Sequence, residues 1–145
     1  MTGMARSTAL TTRETQLWQA WLKMSEAVTS QVARDVAEGS GLSAADYAIL
    51  ERLTEIGNGR LRQRELALAL NWDKSRISHQ LTRMQERNLL TRSKTIEDGS
   101  QVAITRAGRE ALEQARPIHA QAVRRHLIAR LTPEHAATIL TLAGR

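Results

Sequence analysis

Apolar residues recur at helical spacing through most of this chain and switch to alternation only once. Leu17, Trp18, Trp21, Met24, Val28, Val32 and Val36 follow steps of three and four, which predicts a long amphipathic helix. Thr11-Thr-Arg-Glu14 has the form of a capping box at its start, and Gly39-Ser-Gly41 ends it, so the helix is placed over 11–38. Residues 1–10 lack any such pattern and are read as a disordered tail. A second capping box, Ser43-Ala-Ala-Asp46, opens a helix to about Ile56 with Tyr47, Leu50, Leu53 and Ile56 inward. Gly57-Asn-Gly59 is a turn.

Gln63-Arg-Glu-Leu-Ala-Leu-Ala-Leu70 is a short helix that Asn71 can close in the left-handed conformation. Trp72 fills the corner, and Asp73 can cap the next helix by accepting from the backbone amides of Ser75 or Arg76. In that helix Ile77, Leu81 and Met84 mark a buried face. Two helices joined by so few residues form a helix-turn-helix. After Leu89-Leu90 the period changes: Leu90–Thr95 and Gln101–Ile104 read as strands around the Asp98-Gly99 hairpin signal. A hairpin directly after such a helix is a wing. Thr105 caps a further helix to about Leu131, with Pro117 inside it as a bend. Thr132-Pro133 opens a last helix to about Ala143. The fold class is therefore mainly α with a small β-hairpin wing. A winged helix-turn-helix spans 42–104, and helices at 11–38 and 105–145 flank it.

Charge changes this picture more than composition does. Between Arg60 and Lys94 stand nine Lys/Arg against three acids, so the whole formal charge of +6 sits in that segment. A basic surface confined to one segment is the footprint of a nucleic-acid binder. A merely solvated basic face is the rival, yet it has no reason to coincide with a helix-turn-helix. The polar face of the second helix carries Ser75, Arg76, His79, Gln80 and Arg83, groups able to reach phosphates and base edges. Lys74 and Ser78 complete the contacts expected from that helix, Ser78 lying nearer the buried side. Arg92, Lys94, Ser100 and Gln101 would come from the wing and meet flanking backbone or the minor groove.

Several classes are excluded. The chain has no cysteine, so it holds no disulfide and no cysteine-ligated metal. It has no apolar run of about 18 residues that could span a membrane and no signal-peptide pattern, which makes the expected location cytoplasmic. No phosphate-binding glycine loop and no Gly-x-Ser-x-Gly is present, and the sequence is not read as an enzyme. His119 and His126 lie seven residues apart on one helical face and His135 follows. A zinc or copper site there is the weaker reading, surface or interface histidines the stronger, and no cofactor is assigned.

The ordered set of Leu42-Ser43, Arg64-Glu-Leu-Ala67, Arg83-Met-Gln-Glu-Arg-Asn-Leu-Leu-Thr-Arg92, the Asp98 wing turn and Ile104-Thr-Arg-Ala-Gly-Arg-Glu-Ala-Leu112 resembles the MarR family of bacterial winged helix-turn-helix transcription regulators. The resemblance covers residues 42–131 and, with the flanking helices, nearly the full chain. It implies a homodimer in which the terminal helices interlock. It also implies binding to double-stranded DNA at a pseudo-palindromic operator, usually as a repressor, often released by a small aromatic or anionic effector. Family members commonly carry an arginine just after the wing aspartate. Here those positions are Gly99 and Ser100, which leaves Arg92 or Lys94 to substitute. For an effector pocket the candidates are Trp18, Trp21, Tyr47 and His119, with tryptophans at such spacing more often core than ligand cage. Two other functions fit the same pattern: a nonspecific nucleic-acid-binding winged helix, and a winged helix used for protein interaction.

Overall fold

The computed structural model describes residues 8–95 and 99–144. Most of the 1–10 tail and the 96–98 wing turn, Asp98 included, therefore lie outside the described residues. Thr11 caps helix α1 (Thr12–Ser40) through a reciprocal capping box with Glu14, and Gly41 ends it at φ +76°. Ser43 and Asp46 form the same box at α2 (Ala44–Glu55). A short strand β1 (Arg60–Arg62) precedes α3 (Gln63–Leu70). Asn71 closes α3 at φ +54°, and the Asp73 carboxylate then accepts from the Arg76 amide at 2.8 Å to start α4 (Lys74–Glu86). Asn88, at φ +59°, turns the chain out of α4. Strands β2 (Leu90–Thr95) and β3 (Gly99–Ile104) form the hairpin. Thr105 caps α5 (Arg106–His126), a 3-10 turn follows at Ile128–Arg130, and Thr132 caps α6 (Pro133–Ala143).

The sheet is antiparallel in the order β1-β3-β2, with Val102 opposite both Leu61 and Arg92. Strand β1 was not expected from the sequence. Its three residues are too few to show a period, and the strand exists because β3 offers a second edge to the Gly57–Gly59 turn. The core joins Leu50 and Leu53 of α2, Leu66 of α3, Ile77, Leu81 and Met84 of α4, Leu90 and Val102 of the hairpin and Leu112 of α5, each almost wholly buried. Ile56, expected inward, is instead 57% exposed; it is the cap after α2's last turn and has left the buried face. The helix expected to run to Leu131 stops at His126. The residues after it must turn toward Thr132, whose extended backbone precedes a proline that disfavours helical geometry there. α5 does run through Pro117.

α1 lies chiefly along α5, and the two come so close that a Cβ added at Gly39 would press on Ile118. Only the far end of α1 joins the core, through Val36 with Val32 packed against it. Its first half leaves Leu17, Trp18, Trp21 and Leu22 exposed, and α6 leaves Leu140 and Leu142 exposed. Trp18 and Trp21 are thus neither core nor buried cage: each keeps 53% of its surface.

Candidate nucleic-acid interface

α4 presents one continuous outer face. Lys74, Ser75, Arg76, His79 and Arg83 are exposed on it, and Ser78 is half-buried at its edge. The inner face packs Ile77, Leu81 and Met84 without solvent. The guanidinium carbon of Arg76 stands 4.0 Å from the centre of the Trp72 ring. Stacking of this kind leaves the in-plane N–H groups of Arg76 pointing outward and limits its rotamers.

Gln80 departs from expectation. It is only 6% exposed, on the inner side of α4 rather than the outer face. Its Nε2 donates to Asp46 Oδ1 at 2.7 Å, and its Oε1 accepts from Arg83 Nη2 at 2.8 Å. An amide so placed satisfies buried groups and does not face a groove. Asp46 itself is 1% exposed. Its other oxygen accepts from the Ser43 amide at 2.9 Å and from Arg87 Nη1 at 2.6 Å. Arg87 also donates to the Gly41 carbonyl. One carboxylate in α2 thereby ties down both the middle and the end of α4. The sequence signalled Asp46 only as a capping residue and Arg87 only as part of the basic segment. Their pairing spans 41 residues, and no local pattern announces it.

The wing stands beside this face. Lys94 is exposed and pairs in register with the half-buried Ser100. Arg92 turns back instead: its Nη2 donates to Thr82 Oγ1 at 2.7 Å and its Nε to Gln85 Oε1 at 3.1 Å. In this conformation it pins β2 to α4 with two of its five N–H donors.

The four residues expected around an effector do not come together. Tyr47 and His119 do: their rings stack at 4.3 Å with 15° between planes. Both line a cleft of about 340 Å³ walled by Val28, Val32 and Val36 of α1, Ala44 and Ala48 of α2 and Val123 of α5. That is within the size range of small-ligand sites. Burial of Tyr47 pushes its phenol above the ordinary value of 10.0, and the Glu51 carboxylate adds to the rise. Trp21 lines a different apolar groove with Met24, Leu131 and Leu140. The histidines serve separate ends. His126 Nε2 meets Asp35 Oδ2 at 2.8 Å, and His135 Nδ1 accepts from the Thr132 amide at 3.2 Å. Among the described residues no three His, Cys, Asp or Glu side chains converge on a metal position.

A helix-turn-helix whose second helix is basic, closed by a hairpin, is a winged helix-turn-helix, the class of many transcription regulators. The MarR family profile matches residues 42–102. AbsC, a MarR family transcriptional regulator from Streptomyces coelicolor, is 37% identical, with 94% of this chain and 93% of that one covered and a TM-score of 0.84. Sco3205, another from the same organism solved in complex with DNA, is 27% identical over 94% of this chain and 87% of that one, with a TM-score of 0.87. BpsR of Bordetella bronchiseptica shares the fold at 19% identity and a TM-score of 0.78, with 94% of this chain and 97% of that one covered. No curated protein sequence matches. The chain belongs to the MarR family of transcriptional regulators.

Proposed function

We propose that the protein is a sequence-specific DNA-binding repressor, acting in the cytoplasm as a homodimer on a pseudo-palindromic operator. The observation that carries this reading is the outer face of α4, where Ser75, Arg76, His79 and Arg83 stand together on a helix anchored by its apolar inner face. Lys74 and Lys94 supply phosphate contacts on either side, with Ser78 and Ser100 at the margins. The likeness to Sco3205, itself solved with DNA, supports the same use. The second copy is called for by the apolar side chains that α1 and α6 leave in water, since exposed patches of that kind mark interaction surfaces. Two-fold symmetry would set the two α4 helices about 34–36 Å apart, one turn of DNA. The Tyr47–His119 cleft is the place for a small aromatic or anionic effector: one ring could join the stack while the apolar walls exclude water. Among the described residues no helix is long and apolar enough to cross a membrane.

The test is rounds of selection from a randomised duplex pool, read by fluorescence anisotropy at about 0.15 M salt. Enrichment of an inverted repeat supports the reading. Salt-sensitive binding without enrichment would make the protein a nonspecific binder. No binding by a sample shown by mass spectrometry to be free of small molecules would leave a protein-interaction winged helix.

A further inference from the structure

On the exposed face of α4, Arg83 is hydrogen-bonded to the buried Gln80 side chain, and what holds it is chemically specific. A carboxylate only accepts hydrogen bonds and a guanidinium only donates them. Between Asp46 Oδ1 and Arg83 Nη2, the intervening side chain must therefore donate at one end and accept at the other. Gln80 does this, at 2.7 Å and 2.8 Å. A glutamate at this position would set two carboxylates against each other, and a lysine would set two cations together. The buried carboxylate also fixes which way the amide faces. Asp46 Oδ2 is already occupied by Arg87 and the Ser43 amide, so Oδ1 is the oxygen left for Gln80. An ordinary surface pair at i, i+3 has no such anchor and holds neither partner in place.

We propose that Gln80 is a positioning residue for operator recognition: it carries the fixed position of Asp46 to the guanidinium of Arg83, so that Arg83 meets one base in a preset orientation. This rests on the DNA-binding reading above and goes beyond it by naming the residue that sets the specificity of a contact it does not make. With one Nη2 hydrogen held by Gln80, the second Nη2 hydrogen, Nη1 and Nε of Arg83 remain for the DNA. Holding the side chain before binding removes rotamer freedom that would otherwise be lost in the complex.

The experiment has two arms. In the first, wild type, Gln80→Met, Arg83→Ala and the double variant are each taken through selection on the duplex pool, and affinities are measured on the selected and on a random duplex. Methionine matches the length of glutamine and suits a helix. Arg83→Ala should weaken the selected duplex roughly ten-fold and flatten the preference at one base pair in each half-site. Gln80→Met should flatten the same base pair, leave the random duplex within about two-fold, and add little to Arg83→Ala in the double variant, because neighbours that act as one unit are not additive. Losses that multiply in the double variant, or an unchanged base preference in Gln80→Met, overturn the proposal. In the second arm, NMR of the free protein follows the Arg83 guanidinium. Slow rotation in wild type that becomes fast in Gln80→Met and in Asp46→Asn supports the relay; fast rotation in wild type overturns it. If Gln80→Met fails to fold, Asp46→Asn carries both arms. A wild type with no sequence preference removes the DNA reading and the proposal with it. The DNA-free arm tells that outcome apart from a failure of the relay.

Discussion

Replacing Asp46 by alanine should cost roughly 2–4 kcal/mol of folding stability, although the position looks from sequence like an ordinary capping residue. The carboxylate is 1% exposed and receives three donors: Gln80 Nε2, Arg87 Nη1 and the Ser43 amide. Breaking a fully buried pair by removing one partner costs about 3–5 kcal/mol. Here the surviving cation softens the loss, because the Arg87 side chain keeps 47% of its surface and can rehydrate. Gln80 cannot. Its amide is 6% exposed, and a buried donor left without an acceptor costs about 1–3 kcal/mol. Ser43 is exposed and still caps α2 with its own hydroxyl, so little is lost there. Arg87→Met should be at least as damaging, since it strands the carboxylate itself. The double variant Asp46→Ala, Arg87→Met should then be more stable than Arg87→Met alone, the sign expected when an unpaired buried charge is removed. Urea unfolding at one fixed protein concentration measures this, the concentration being held because an oligomer's stability depends on it. A loss below about 1 kcal/mol for Asp46→Ala would mean the pair behaves as a surface bridge and would refute the argument.

Gly108→Ala should destabilise by about 1–3 kcal/mol, although alanine is the better helix former. The new Cβ would overlap the Leu89 carbonyl oxygen and press on Ile104; a more stable variant would show that this contact gives way. Tyr47 is the sole tyrosine, so tyrosinate absorbance reads it directly. Its titration in the folded protein should lie above the ordinary value of 10.0, and a midpoint at or below that value contradicts its burial. Because the folded value is raised, the associated stability is complete below the unfolded value and is lost as pH climbs through the folded one. Leu140→Asp, at a side chain 74% exposed on α6, should leave the circular dichroism unchanged while halving the mass seen in sedimentation; an unaltered dimer would move the interface away from α6.

What was legible in the sequence is what short-range physics decides. Thr11, Ser43, Asp73, Thr105 and Thr132 all cap the helices expected of them, because orphan amides in a first turn need an acceptor nearby in sequence. Asn71 takes the left-handed conformation for an equally local reason. Gln80 was misplaced because its amide chemistry was given more weight than its angle. At 3.6 residues per turn it lies only about 60° from the middle of the Ile77, Leu81 and Met84 stripe, closer than Ser78 at roughly 90°. The stripe on α1 was legible too, but not its division. A period says that a face is covered without saying by what, and Val36 meets this chain's own core while Leu17 meets none of it.

The same limit bears on how an effector could act. A ligand shifts an equilibrium only by its differential affinity for two arrangements, so a cleft matters for regulation only if its walls move with α4, the helix proposed to read DNA. α2 meets that condition through its two faces. Ala44, Tyr47, Ala48 and Glu51 line the cleft, while Asp46, one residue from Tyr47, holds Gln80 and Arg87 at the two ends of its carboxylate. A ligand accommodated beside the Tyr47–His119 stack without displacing α2 would leave α4 where it is, however tightly it bound. One that favours an α2 rotated or shifted far enough lengthens the bonds now at 2.6 and 2.7 Å past the roughly 3.5 Å at which they cease to be hydrogen bonds. It must therefore carry α4 along or break the clamp. Either result alters the face proposed for DNA, and neither requires the ligand to approach it.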